Sequence, residues 1–197
     1  MLVLKASQNW VVPQGVTAAK VTVVGGGGGS GGAAPAYGAA TGGGGAGGAA
    51  ISVLSNLVPG SVIPVVVGAA GAAGTGVTTS GTNGSSGGTS SFGTYLSATG
   101  GAGSPWAANA GNVGGAGGVG LSGQINLQGQ AGNTGYWNVF STGPCTSASV
   151  QIPGNGGSSI FGGSAPYAAA NIFGTGGWGQ FSGNGNAGFA GVVIDEY

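Results

Sequence analysis

Apolar and polar residues alternate in a few short stretches of this chain, and between those stretches the alternation stops. Lys20-Val21-Thr22-Val23-Val24 reads as a strand and runs directly into glycines 25–29, Ser30, Gly31 and Gly32. Ile51-Ser52-Val53-Leu54, residues 62–67 and the closing Val192-Val193-Ile194 are further short β-prone runs, and the period of two sends successive side chains to opposite faces of a sheet. Residues 1–4 are apolar and suit an edge strand or pairing with another subunit. Trp10-Val11-Val12-Pro13 leads into a Gln14-Gly15 turn, and the indole of Trp10 is expected to cap a hydrophobic core. Pro59-Gly60 marks a turn, and Pro64 within its run points to an edge position or a bulge. The terminal strand, residues 188–197, is expected to pair with an early one and tie both chain ends into one sheet.

A different period governs the rest. Glycines fall at 42, 45 and 48; at 68, 71 and 74; at 111, 114, 117, 120 and 123; at 129, 132 and 135; and at 185, 188 and 191. A spacing of three fits neither the α-helix nor the strand, but it matches an extended left-handed helix of three residues per turn. Such helices pack side by side when no Cβ separates them, and lateral N–H···O=C bonds then satisfy the backbone. Collagen needs an unbroken register, whereas here the register resets, as short antiparallel helices joined by turns require. Residues 34–50 read as a small-residue linker or helix-like coil. The expected fold is one domain over 1–197, mostly β with polyglycine-II-type helices and little or no α-helix. Its β frame is expected from about 1–67 and 188–197, with a glycine-rich bundle and loops over about 68–187. A loose repeat relates Gly88-Thr89-Ser90-Ser91-Phe92-Gly93, Tyr95 and Pro105-Trp106-Ala107-Ala108-Asn109 to Gly157-Ser158-Ser159-Ile160-Phe161-Gly162 and Pro166-Tyr167-Ala168-Ala169-Ala170-Asn171.

Composition changes this picture in one respect. With 52 Gly and 8 Pro in 197 residues, disorder would be the default. Disorder, however, goes with low hydrophobicity and high net charge. This chain is 41% hydrophobic and carries only Lys5, Lys20, Asp195 and Glu196, so it reads as folded. The absence of His and Arg leaves no basic patch for nucleic acid. Cys145 stands alone, which excludes an internal disulfide and gives no metal or cofactor site. Residues 1–9 lack the pattern of a signal peptide, and no run approaches the ~20 apolar residues of a membrane span. Synthesis in a host cytoplasm and service on the outside of a virion, without membrane insertion, is the expectation.

Enzymatic chemistry finds no support in these residues. Ser and Thr abound without a His to activate them. Asp195 and Glu196 are adjacent on a strand, so they face opposite ways rather than across a scissile glycosidic bond. Glycines 25–32 lack the Lys-Ser/Thr ending of a phosphate loop. What remains is a set of aromatic side chains on glycine-rich loops: Tyr37, Tyr95, Trp106, Tyr136, Trp137, Phe140, Tyr167 and Trp178. They either fill gaps that glycine leaves, or form a contact surface for sugar rings or a protein receptor. The cluster at 135–142, with Asn133 and Asn138 as hydrogen-bonding amides, is the leading candidate, with the loops around Trp106 and Tyr167 as its neighbours. The candidate receptor-binding residues are therefore Trp106, Tyr136, Trp137, Asn138, Phe140 and Tyr167.

Trp10-Val11-Val12-Pro13, Gly15-Val16-Thr17, Lys20-Val21-Thr22-Val23-Val24 into the glycine run, Pro59-Gly60, Val65-Val66-Val67-Gly68, Ser90-Ser91-Phe92-Gly93 and the terminal 188–197 strand occur in that order. In this the chain resembles the glycine-rich receptor-binding tip domain of bacteriophage tail fibres, over nearly its whole length. The resemblance implies a virion protein of the tail that attaches to a host-cell surface receptor, either glycan or protein, beside other phage tail proteins and as a homotrimer. The family's domain usually ends a longer fibre, whereas here only nine residues precede Trp10. A structural cap that shapes the tail without receptor contact is the alternative, and an ice-binding or silk-like scaffold is a third.

Overall fold

The computed structural model describes residues 1–34, 39–108, 111–140, 148–163 and 173–197. Among these residues every regular element is a strand and none is a helix. In chain order the strands are β1 (Leu2–Leu4), β2 (Gln8–Val11), β3 (Ala18–Val24), β4 (Ala49–Ser55), β5 (Val62–Val66), β6 (Gly76–Val77) and β7 (Ser80–Gly81). They continue with β8 (Ser90–Phe92), β9 (Leu96–Ala98), β10 (Gly120–Leu121), β11 (Ile125–Leu127), β12 (Tyr136–Phe140), β13 (Ala148–Ile152) and β14 (Val192–Glu196). One five-stranded sheet runs β1-β14-β3-β4-β11 and a second runs β10-β9-β8-β5-β2, while β12-β13 and β6-β7 are separate hairpin pairs. The pairings between these strands are antiparallel.

The alternation read in the sequence decides which faces meet. Val21 and Val23 of β3, Val193 of β14 and Leu4 of β1 turn inward against Trp10 of β2, Ile63 and Val65 of β5, Phe92 of β8 and Leu96 of β9. Burying each large side chain of this set stabilises the fold by roughly 1.5–3 kcal/mol. The Trp10 indole lies 5.4 Å from the Phe92 ring and 5.9 Å from that of Tyr197, ring centre to ring centre. β14 joins the N-terminal strands, with Val192–Glu196 aligned on Val24–Lys20 and Ile194 opposite Val3. Pro64 sits inside β5 rather than on an edge. β8 pairs with β5 only at Val65 and Val66, and beyond Phe92 the chain turns so that the Gly93 N–H donates to the Pro64 carbonyl at 2.8 Å. The missing N–H of the proline therefore falls where its neighbour strand has already ended.

Asp195 departs from the otherwise apolar pattern. On β14 it lies between Leu2 of β1 and Val21 of β3, with no exposed surface, and neither carboxylate oxygen has a hydrogen-bond partner. Burial pushes its pKa up from 3.8 to about 6, with the positive chain terminus drawing it back somewhat. Glu196 points the opposite way and meets Lys20 at 3.1 Å in an exposed ion pair, a contact of little energetic weight.

The glycine run that follows β3 is wholly buried, as are residues 39–48 on the return to β4. The described part of the 34–50 stretch, 39–48, is thus a hydrogen-bonded interior segment and not the linker or helix-like coil expected of it. Each N–H of 25–33 bonds to a different neighbour from the one before it, and the cycle closes at every third residue except at Gly31, whose N–H turns to the Ser104 hydroxyl. Gly26, Gly29 and Gly32 donate to Gly88, Ser85 and Thr82; Gly27, Ser30 and Ala33 donate to Phe189, Asn186 and Gly183; Gly25 and Gly28 donate to Gly48 and Gly45. The carbonyls of 26, 29 and 32 receive the N–H groups of Gly101, Ser104 and Ala107, those of 27 and 30 receive Gly71 and Gly74, and that of 28 receives Gly177. Segment 41–48 repeats the scheme. Thr41, Gly44 and Gly47 donate to Gln180, Gly177 and Gly174, Gly43 and Ala46 to Asn133 and Gln130, and Gly45 and Gly48 to Ala102 and Thr99.

Close approach is what demands glycine here. Positive φ among the described glycines occurs at Gly15, Gly60, Gly93, Gly174 and Gly183, none of them inside the two buried runs. A Cβ on Gly27 would instead overlap the Thr175 carbonyl oxygen, and one on Gly45 that of Ala116. The two interior segments are enclosed on all sides and are built of glycine with only Ala, Ser and Thr between. At the periphery only every third residue faces inward: Gly68, Gly71 and Gly74 are buried, while Ala69, Ala70 and Ala72 between them are exposed. The β frame also takes in β8–β11, so it is not confined to 1–67 and 188–197. Ser-Ser-Phe and Leu-Ser-Ala alternate as strands should, and Phe92 and Leu96 enter the common core.

Candidate functional site

The glycine segments leave the sheets from β3, β5 and β9 and return to β4, β8 and β14. All four charged side chains, Lys5, Lys20, Asp195 and Glu196, lie in or beside the strands of the frame. At the far end three segments lie side by side around 40–48. Asn133 N–H donates to the Asn155 carbonyl at 2.8 Å, Gly154 N–H to that of Thr41 at 2.9 Å, and Gly179 N–H to that of Gly154 at 2.7 Å. Between these segments two grooves open. The first, of about 410 Å³, lies between Asn133, Thr134 and Tyr136 on one side and Ile152, Pro153 and Asn155 on the other. The second, of about 340 Å³, lies between the same 153–155 ridge and Trp178, Gln180 and Phe181. Both volumes fall at the lower end of the range for small-ligand sites. No charged side chain lines either groove.

The segments hold this surface by side chains wherever a Cβ is accommodated. Thr41 Oγ1 receives the Gln180 N–H at 2.7 Å, and Ser30 Oγ receives that of Asn186 at 2.7 Å. Ser104, fully buried, receives the Gly31 N–H at 3.0 Å and donates to the Gly42 carbonyl at 2.6 Å, so one hydroxyl joins both interior segments. Most amides of the glycine region are spent in the same way. Asn83 accepts from the Trp106 N–H, Asn112 donates to the Trp106 carbonyl, Asn184 accepts from Gly76, and Asn186 donates to the Trp178 carbonyl.

Of the candidate residues taken from the sequence, Tyr136 stands in the first groove and is 63% exposed. Trp106 lies outside both grooves, half-buried, its backbone fixed by Asn83 and Asn112 and its ring close to Gly81 of β7. Trp137, Asn138 and Phe140 belong to β12, where they pair in register with Gln151, Val150 and Ala148. Tyr167 lies outside the described residues. The segment that contains it is bounded by Gly163 and Phe173, and Phe173 packs on Val24, Ala49 and Val192 at the frame.

A family model for glycine-rich domains matches residues 3–197. The chain belongs to the glycine-rich domain family. No curated protein matches its sequence. In this glycine-rich domain the residues that sequence reasoning missed are Asn155, Gln180, Phe181 and Ile152, with Trp178 noted only as one aromatic among many. Their signal lay in the period of three. Counting triplets outward from the strands places 133, 155 and 180 at one level, since Thr41 bonds Gln180 and Gly154 while Gly43 bonds Asn133.

Proposed function

We propose that this glycine-rich domain is a non-enzymatic virion protein at the tip of a bacteriophage tail fibre or tail, binding a host-cell surface receptor through an uncharged aromatic surface. The observation that carries the reading is the separation of chemistry along the molecule. All four charged side chains lie in or beside the sheets, whereas the two grooves of the glycine region are lined by uncharged side chains alone, among them Tyr136, Trp178, Phe181, Asn133, Asn155 and Gln180. The order of motifs shared with tail-fibre tip domains supports it. We further read the glycine segments as a bundle of polyglycine-II helices, supported by hydrogen-bond partners that change at each residue and recur at every third. Host receptor and neighbouring tail proteins are the partners in this reading, and the virion tail is its location.

The test is competition. Purified protein added to host cells before phage is expected to reduce adsorption in proportion to its concentration, whereas a structural cap would leave adsorption at its starting rate. Far-UV circular dichroism tests the bundle: an extended left-handed signature beside β-sheet is expected, and a spectrum dominated by α-helix would refute it.

A further inference from the structure

The two grooves bring three unspent amides together beside aromatic rings. Asn83, Asn112, Asn184 and Asn186 are all engaged by backbone groups of the fold. The side-chain amides of Asn133, Asn155 and Gln180 make no hydrogen bond to any described residue. These three converge on the grooves, and Asn155 lines both. Beside them stand Tyr136 in one groove and Trp178 and Phe181 in the other.

From this we infer that the far end binds a neutral oligosaccharide laid across the 153–155 ridge, with Asn155 at its centre; the inference rests on the receptor-binding reading and names the receptor's chemistry. Each amide offers a donor and an acceptor on one planar group, the complement of neighbouring hydroxyls on a sugar ring. Aromatic rings present an electron-rich face to the C–H groups of a pyranose. A charged sugar would surrender hydration to a surface with no counter-charge, which is unfavourable. A protein receptor would be expected to bury a broad apolar centre, whereas the 153–155 ridge divides this surface into two grooves, in which Ile152 and Pro153 stand among amides, rings and glycines.

The experiment measures binding of fluorescently labelled protein to a panel of bacterial cell envelopes, untreated, oxidised with periodate to open sugar diols, or digested with proteinase K. Binding is expected to disappear after periodate, to survive proteinase, and to change little between about 0.05 and 0.5 M salt. Asn155→Ala and Gln180→Ala, whose side-chain amides make no hydrogen bond to any described residue, are expected to keep the parental melting temperature while each weakens binding about tenfold or more. Binding lost to proteinase but not to periodate would overturn the saccharide while leaving receptor binding intact. Parental affinity in both variants would overturn the site. No binding to any envelope would remove the receptor-binding reading and this inference together.

Discussion

At the scale of single residues, Asp195 and the glycines of the buried segments carry the sharpest consequences. Asp195 is fully buried without a partner, and its pKa is raised from 3.8 to about 6. The folded chain therefore retains a proton that the unfolded chain releases. Stability is highest below about pH 4, falls as the pH rises through the interval up to about 6, and stays lower above it. The chain has no His, and Glu196 is the only other acidic side chain, so little else obscures the effect. Melting temperatures measured across this range are expected to fall, and Asp195→Asn is expected to flatten the profile and raise stability at pH 7 by up to about 3 kcal/mol. Gly117 shows the other constraint. A Cβ there would overlap the Gly129 carbonyl oxygen, while one on Gly163 would meet nothing within 4 Å. Gly117→Val is expected to cost more than about 3 kcal/mol in denaturant unfolding and Gly163→Ala less than about 0.5 kcal/mol.

At the scale of elements, strands were legible wherever apolar and polar residues alternated. The runs at 20–24 and 51–54 appear as strands, that at 62–67 does so over Val62–Val66, and the closing strand expected over 188–197 is confined to Val192–Glu196, where it joins the early strands as its position at the chain end implied. Segment 39–48 was misread because small residues without periodic bulk resemble a linker, while its order comes wholly from neighbours distant in sequence. The grooves were only partly legible for the same reason. Tyr136 stood in an evident aromatic cluster, but Asn155 and Gln180 acquire meaning only when three segments are set side by side. Ser104 tests how these elements are joined. Ser104→Ala would strand the Gly31 N–H and the Gly42 carbonyl in a buried site, and is expected to cost about 2–4 kcal/mol, more than an exposed Ser→Ala change.

At the scale of the whole molecule, the frame exposes both apolar side chains and open sheet edges. Val11 and Val62 pair across β2 and β5 with their side chains 54% and 56% exposed, and Val66 follows on the same face. β1, β2, β10 and β11 form the outer edges of the two sheets. In a chain with so few charges, closed cyclic symmetry is an economical way to cover such surfaces. We propose a homotrimer joined through the frame. Light scattering at micromolar concentration is expected to report three times the chain mass, and Val62→Lys is expected to shift it toward monomer; a parental protein that is monomeric at that concentration would refute the assembly.

The cycle of hydrogen-bond partners along 25–33 also sets how such a molecule can change in length. Removing one residue from an interior segment would advance everything beyond it by one partner, aiming each N–H at the wrong neighbour and Ser30 at a wall built for glycine. Removing three would restore the cycle of backbone partners but, in the proposed polyglycine-II geometry of about 3.1 Å per residue, leave the segment short by roughly 9 Å, so the adjoining segments must shorten with it. Viable insertions and deletions in the interior should therefore come in triplets and in concert.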